Sequence, residues 1–308
     1  MRLALKIDVD TWRGTRDGVP RLVEALQKQG ADATFLFSLG PDHTGRALKR
    51  IFRKGFLQKV RRTSVTAHYG LNTLLYGTLL PGPDIGVRCF KEMQAVRDAG
   101  FEVGIHCWDH VKWQDEVRTA CNPWTEKEME LAVQRYAKVF GSAPLTHGAA
   151  GWQMNRHALR LTQRLGFRYA SDCRGSHPFI PVWDGEIIAC PQIPTTLPTL
   201  DELIGVDGLS EDNVHERLLE LSVEAPAQGH VYTLHAELEG MKLAPIFEKL
   251  LVGWKQQGYE LVSTAKLRDG LDPAALPCHE IRWGEVPGRS GELLLQGPEF
   301  LAEWKNAA

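Results

Sequence analysis

Two carboxylates close the first apolar run of the chain, in Leu3-Ala-Leu-Lys-Ile-Asp-Val-Asp10. At alternating positions of a strand, Asp8 and Asp10 point to the same side. Two acids at one strand end repel each other unless something positive sits between them. A metal ion would meet that need; the alternative is a strand end solvated by water. A second group is His106-Cys-Trp-Asp-His110, directly after the apolar run Phe101 to Ile105. Imidazoles four residues apart meet on one face where the chain turns into a helix, a common spacing for two metal ligands. With 11 His in 308 residues such a pair also arises by chance, so its place at a strand end is what singles it out. The third is His235, in His230-Val-Tyr-Thr-Leu-His-Ala-Glu237, again at the end of a buried-looking run. A lone His there is either a satisfied structural residue or a proton donor. Taken jointly, three titratable groups at three strand ends read as a mononuclear metal hydrolase. Two imidazoles and a carboxylate suit Zn²⁺, Mn²⁺ or Co²⁺ without choosing among them.

Something must bring those strand ends together. One pattern recurs: a helical stretch, a glycine, then a short apolar run. It appears at Val19 to Gln29, Gly30 and Ala33 to Phe37; at Val87 to Ala99, Gly100 and Phe101 to Ile105; at Asn155 to Leu165, Gly166 and Phe167 to Ala170; and at Ala244 to Gln257, Gly258 and Tyr259 to Val262. Glycine just past a helix takes the left-handed conformation freely, and a strand following at once is the joint of an αβ unit in a parallel sheet. Leu3 to Ile7 and His230 to Leu234 read as further strands. Thr125-Glu-Lys-Glu128 reads as a capping box opening a helix that runs to about Phe140. About seven βα units predict an α/β protein of the (β/α)-barrel type, with its chemistry at the C-terminal ends of the strands.

Two regions break the rhythm. Pro41 to Gly86 is an insertion, bounding a basic and apolar segment at about 41–87 inside a barrel of residues 1–270. It contains Arg46-Ala-Leu-Lys-Arg-Ile-Phe-Arg-Lys-Gly-Phe-Leu-Gln-Lys-Val-Arg-Arg62, with eight Lys or Arg and no acid, then the Leu- and Tyr-rich stretch Ala67 to Gly82. A basic, partly amphipathic helix beside an apolar segment suits an anionic membrane surface; a solvated helix packed on the barrel has the same pattern. Ile193 to Val206 is a Pro-rich loop that could line a site, and residues 271–308 read as an irregular C-terminal extension.

Composition narrows the partners. Thirty-six Lys plus Arg against 38 Asp plus Glu leave a formal charge of −2, which argues against nucleic acid as a partner. No run approaches the length of a membrane-spanning helix, and the first residues are too acidic for a signal peptide's core. Six cysteines without a C-x-x-C pair are expected as free thiols of a reducing compartment.

In these motifs the chain resembles the polysaccharide deacetylase family, a deformed (β/α) barrel of metal-dependent N-deacylases. The resemblance rests on Asp8 with Asp10, on His106 and His110, and on Leu234-His235, in that order, over roughly residues 1 to 265. It is tighter still in Ile7-Asp-Val-Asp-Thr-Trp-Arg-Gly-Thr-Arg16, Ser171-Asp-Cys-Arg-Gly175, Gln192-Ile-Pro-Thr-Thr-Leu-Pro198 and Tyr232-Thr-Leu-His-Ala-Glu237. It implies one divalent metal on Asp10, His106 and His110, with Asp8 as general base and His235 as general acid. Asp172 is then the candidate to orient His235. The closer likeness implies loss of a formyl group from 4-deoxy-4-formamido-L-arabinose on a polyprenyl phosphate. That step serves lipid A modification and polymyxin resistance, on the cytoplasmic face of a bacterial inner membrane. Alternatives are deacetylation of another acylated amino sugar or of peptidoglycan, or binding of a lipid-linked sugar without catalysis. The family's third motif supplies an arginine to the base aspartate, but Thr146-His-Gly-Ala-Ala-Gly-Trp152 has none; His147, Arg156 and Arg174 are candidate substitutes. Ala149 and Ala150 beside Trp152 suit a tight acyl pocket, and ordinary packing explains them equally well.

Overall fold

The structure, a computed structural model, describes residues 1–47 and 73–302. Its centre is strand β1 (Arg2–Val9), buried from Leu3 onward. That burial is what a parallel strand covered on both faces requires, and the near-continuous apolar run L-A-L-K-I-D-V provides it. The next strands are β2 (Thr34–Ser38), β3 (Glu102–Cys107), β4 (Thr146–His147) and β5 (Tyr169–Ala170). Further along lie β6 (Ile180–Trp183), β7 (Glu186–Ile187), β8 (His230–His235) and β9 (Glu260–Val262). The main sheet runs β5-β4-β3-β2-β1-β8, with β9 also pairing β1, seven strands in all among the described residues. Every pairing in it is parallel. It is the deformed, incomplete barrel that the alternation of helices and strands implies.

Helices cover the crossovers. Between β1 and β2 lies α1 (Val19–Gln29), with a proline in its first turn and Leu22 and Leu26 on its buried face. It closes at Gly30 with φ of 58°, a left-handed turn that sends the chain straight into β2. The others are α2 (Phe90–Asp98) before β3, α3 (His110–Glu116) and α4 (Asn122–Phe140) before β4, α5 (Arg156–Arg164) before β5, and α6 (Ala244–Gln256) before β9. The expected start of α4 needs correction. It begins at Asn122 with a proline in its first turn, so Thr125 lies inside it, with its hydroxyl on the Cys121 carbonyl. Glu128 pairs with Lys112. The proline, which loses no hydrogen bond in a first turn, sets the boundary, and the box is absent.

The C-terminal region also differs from expectation. Residues expected as irregular form β10 (Cys278–Glu285) and β11 (Glu292–Glu299), an antiparallel hairpin. The hairpin joins a second sheet of order β11-β10-β6-β7. Pro298 tolerates its place because β11 is an edge strand, where no ladder donor is needed. Its Gly-Pro pair and mixed polarity hide a strand from periodicity.

Most of the basic segment at 46–62 lies outside the described residues. Arg46 is described, with its Nε donating to the Gly77 carbonyl. No helix among the described residues is long and apolar enough to cross a membrane.

Candidate metal centre

Sheet register places the chemistry at one end. Asp8 pairs with Leu36 on one side and His235 on the other, so the base candidate and the acid candidate sit on adjacent strands at one level. His106 is near the end of β3, and His110 opens α3. The side chain of Asp109 caps that helix by accepting from the Lys112 amide. This cap turns the chain at once from strand into helix, and that turn lets the two imidazoles stack with centroids 5.3 Å apart.

Asp10 faces both rings. Its Oδ1 lies 3.2 Å from His106 Nε2 and its Oδ2 lies 3.4 Å from His110 Nε2. One ligand atom from each of the three residues lies within 4.8 Å of the others. His106 Nδ1 is 2.7 Å from the Gly148 carbonyl, which can only accept, so Nδ1 carries the proton and Nε2 presents a lone pair toward Asp10. A lone pair facing a buried carboxylate repels it unless a cation lies between. Asp10 Oδ1 is moreover buried without a hydrogen-bond donor. These residues therefore fit a divalent ion.

Electrostatics show the same demand for positive charge between Asp10 and the two rings. Burial works to raise the Asp10 carboxyl, but the neighbouring imidazoles of His110, His106 and His235 hold it well below the usual range. Burial works to lower the His106 imidazole, and the charges of Asp8 and Asp10 overcome it and hold it above its ordinary value.

Two acids that the motifs did not single out brace this end of the sheet. Glu237 Oε1 accepts from the Asp10 amide, the Thr11 amide and the Thr11 hydroxyl at 2.8–3.0 Å. It thereby ties the loop after β8 to the Asp10 turn. Glu239 accepts from the His235 amide and the Tyr232 hydroxyl, and burial pushes its carboxyl up to about 7. His235 itself keeps Nδ1 free of any hydrogen-bond partner.

The polysaccharide deacetylase model matches residues 3–170. Over 292 residues the chain is 40% identical to a Shewanella sediminis protein named "Probable 4-deoxy-4-formamido-L-arabinose-phosphoundecaprenol deformylase ArnD", covering 95% of this chain and 93% of that one. This chain belongs to the polysaccharide deacetylase family. A Wigglesworthia glossinidia brevipalpis protein of the same name is 33% identical over 286 residues, 92% of this chain and 98% of that one. Among solved structures, a Mycobacterium smegmatis protein assigned as a polysaccharide deacetylase superposes with a TM-score of 0.62 at 16% identity, covering 92% and 94% of the two chains. That likeness supports the fold.

Within this family, the chain departs from the expected pattern at the partner of Asp8. None of the three candidate substitutes touches Asp8. His147 Nδ1 pairs with Asp172 at 2.7 Å, Arg156 with Glu186 and Arg174 with Glu202. The cation beside Asp8 is Lys6, whose Nζ is 3.1 Å from Oδ2. Lys6 is fully buried, and its ammonium also lies 5.2 Å from the centre of the Trp152 ring. Space for it comes from Gly148, where a Cβ would stand 2.9 Å from Lys6 Cε. The signal was present in the sequence: Lys6 and Asp8 alternate on one strand and so share a face.

Asp172 does not reach His235 in the way expected. It is spent on His147, on the Ala149 amide and on the Gln192 side chain. Ala149 and Trp152 are both buried. Trp152 Nε1 is 3.3 Å from the Thr195 hydroxyl in the Pro-rich loop.

Proposed function

We propose that this protein is a metal-dependent amidohydrolase that removes the N-formyl group from 4-deoxy-4-formamido-L-arabinose-phosphoundecaprenol, releasing formate and the free amine. The observation that carries the reading is the 40% identity over 95% of the chain to a relative of that name. The clustering of Asp10, His106 and His110 beside Asp8 supports it. Asp10, His106 and His110 would hold the ion. A divalent ion there polarises an acyl oxygen and lowers the pKa of a water.

The chain's own residues supply the proton transfers. Asp8, held by Lys6, takes a proton from the attacking water as its oxygen bonds to the formyl carbon. His235, one strand away, gives a proton to the sugar nitrogen as the C–N bond breaks. Water thus adds across the amide, and formate and amine leave with all atoms accounted for. Residues 46–62 would meet the anionic bilayer in which a polyprenyl phosphate lies, on the cytoplasmic face, as a step toward modified lipid A.

Formate release from the lipid-linked substrate tests the reaction. Purified protein should release formate, should stop after treatment with a chelator and should recover with Zn²⁺, Mn²⁺ or Co²⁺. The acetylated analogue should give little acetate. Absence of formate with each metal restored would redirect the reading to other acylated amino sugars. For the membrane, neutralising Arg50, Arg53 and Lys54 should weaken co-sedimentation with anionic liposomes at low salt. Unchanged binding would remove the membrane role from the basic stretch.

A further inference from the structure

Beyond the metal centre, the indole of Trp152 carries a second group of charges. Three cations surround that ring: Lys6 Nζ at 5.2 Å, the Arg174 guanidinium at 5.2 Å and the Arg289 guanidinium at 4.5 Å from its centre. Lys6 is already paired with Asp8. Both arginines hydrogen-bond the same carboxylate oxygen, Glu202 Oε1, at 2.7 and 3.1 Å. Arg174 has one further acceptor, the Leu197 carbonyl, and its buried Nε has no hydrogen-bond partner.

The arrangement is built. Arg174 is held by backbone bonds to Leu294 and Gln296 of β11. Arg289 comes from the turn between β10 and β11. That turn presses onto the short helix Leu200–Leu203, where a Cβ at Gly288 would stand 2.1 Å from the Glu202 carbonyl oxygen. Only glycine permits so close an approach. The C-terminal hairpin thus lies beyond the matched family segment and delivers a guanidinium to the wall of the site.

We propose that Arg174 and Arg289, laid against Trp152, form an anion subsite that takes the phosphodiester of a sugar phosphate whose acyl group lies at the metal centre. The inference rests on the deformylase reading above. Each guanidinium offers five donors in a planar fork suited to phosphate oxygens, and the Glu202 oxygen and the Leu197 carbonyl between them engage three of these N–H groups. Glu202 and the half-buried Asp201 supply the acidic charge here. Burial, together with Arg289, holds the Arg174 guanidinium below its ordinary value, whereas Glu202 and Asp201 overcome burial and hold Arg289 above its own, so the shared acidic charge serves Arg289 more than Arg174. Arg289 also senses the charge of Asp10, which puts the two sites within electrostatic reach.

The test uses the metal-loaded full chain and two substrates, formamido-arabinose on a short isoprenyl phosphate and its neutral methyl glycoside. Wild type should prefer the phosphorylated substrate in kcat/KM. Arg289→Met should cut that preference roughly 10- to 100-fold, the worth of a charged hydrogen bond, mainly through KM, with Arg289→Lys in between. Inorganic phosphate should compete with the phosphorylated substrate in wild type and less in Arg289→Lys, which carries the assignment if Arg289→Met does not fold. Equal use of both substrates by wild type, or a preference that survives in Arg289→Met, overturns the subsite while leaving the deformylase standing. Hydrolysis of neither substrate removes the deformylase reading itself.

Discussion

Asp8→Asn is expected to lower kcat for formate release by about 10²- to 10⁴-fold, the usual contribution of a positioned general base, while the protein still binds one equivalent of metal. The two outcomes together separate proton transfer from ligation. Asp10 stands between both imidazoles at 3.2 and 3.4 Å, whereas Asp8 faces Lys6 through Oδ2 and lies 3.8 Å from His106 Nδ1 through Oδ1. His106 already gives Nδ1 to Gly148, so Asp8 is placed beside the cluster rather than within it. His235→Ala should behave as Asp8→Asn does. His106→Ala should lose the metal as well as the activity, read by metal analysis of the purified variant. Metal loss in Asp8→Asn, or a full equivalent retained in His106→Ala, would show that ligand and base have been assigned to the wrong residues.

Why the metal cluster was legible in the sequence, and its supporting charges less so, follows from how far each interaction reaches along the chain. Asp8 with Asp10 and His106 with His110 are local pairs, and the periods of strand and helix fix their faces before any tertiary contact exists. Gly30 likewise announces its αβ joint through its own backbone conformation. Asp172 was misplaced because a carboxylate five strands from His235 in the sheet order has no sequence signal for its partner; His147, on the neighbouring strand β4, takes it. Arg289 was missed because it sits in a turn whose importance depends on a hairpin packing against Leu200–Leu203. The hairpin itself was missed because Gly297-Pro298 and alternating charges resemble a loop. Lys6 is the instructive case: a lysine in a run of Leu, Ala and Ile reads as an interruption unless its same-face partner two residues on is weighed with it.

Lys6→Met gives the second large effect, because it strips the counter-charge from a buried carboxylate while keeping the length of the side chain. Removing one partner of a buried ion pair typically costs about 3–5 kcal/mol, and Lys6 and Asp8 are respectively fully and almost fully buried. Urea unfolding of metal-free protein should register a loss of that order. Catalysis should fall by about 10²-fold as well, since Asp8 loses the contact that fixes its oxygens. Lys6→Arg tests fit against charge. The Lys6 stem packs closely on Gly148, with Cε 2.9 Å from where a Cβ would lie, and a planar guanidinium is larger and forked. Charge is retained, so Lys6→Arg should recover part of the stability but less of the rate. The double variant Lys6→Met/Asp8→Asn completes the cycle. If the two side chains act as one unit, it should be more stable than the summed single losses predict, by a coupling of about 0.5–3 kcal/mol, and no slower than Asp8→Asn alone. Strict additivity in both stability and rate would mean that the 3.1 Å contact between Lys6 and Asp8 organises neither the fold nor the base.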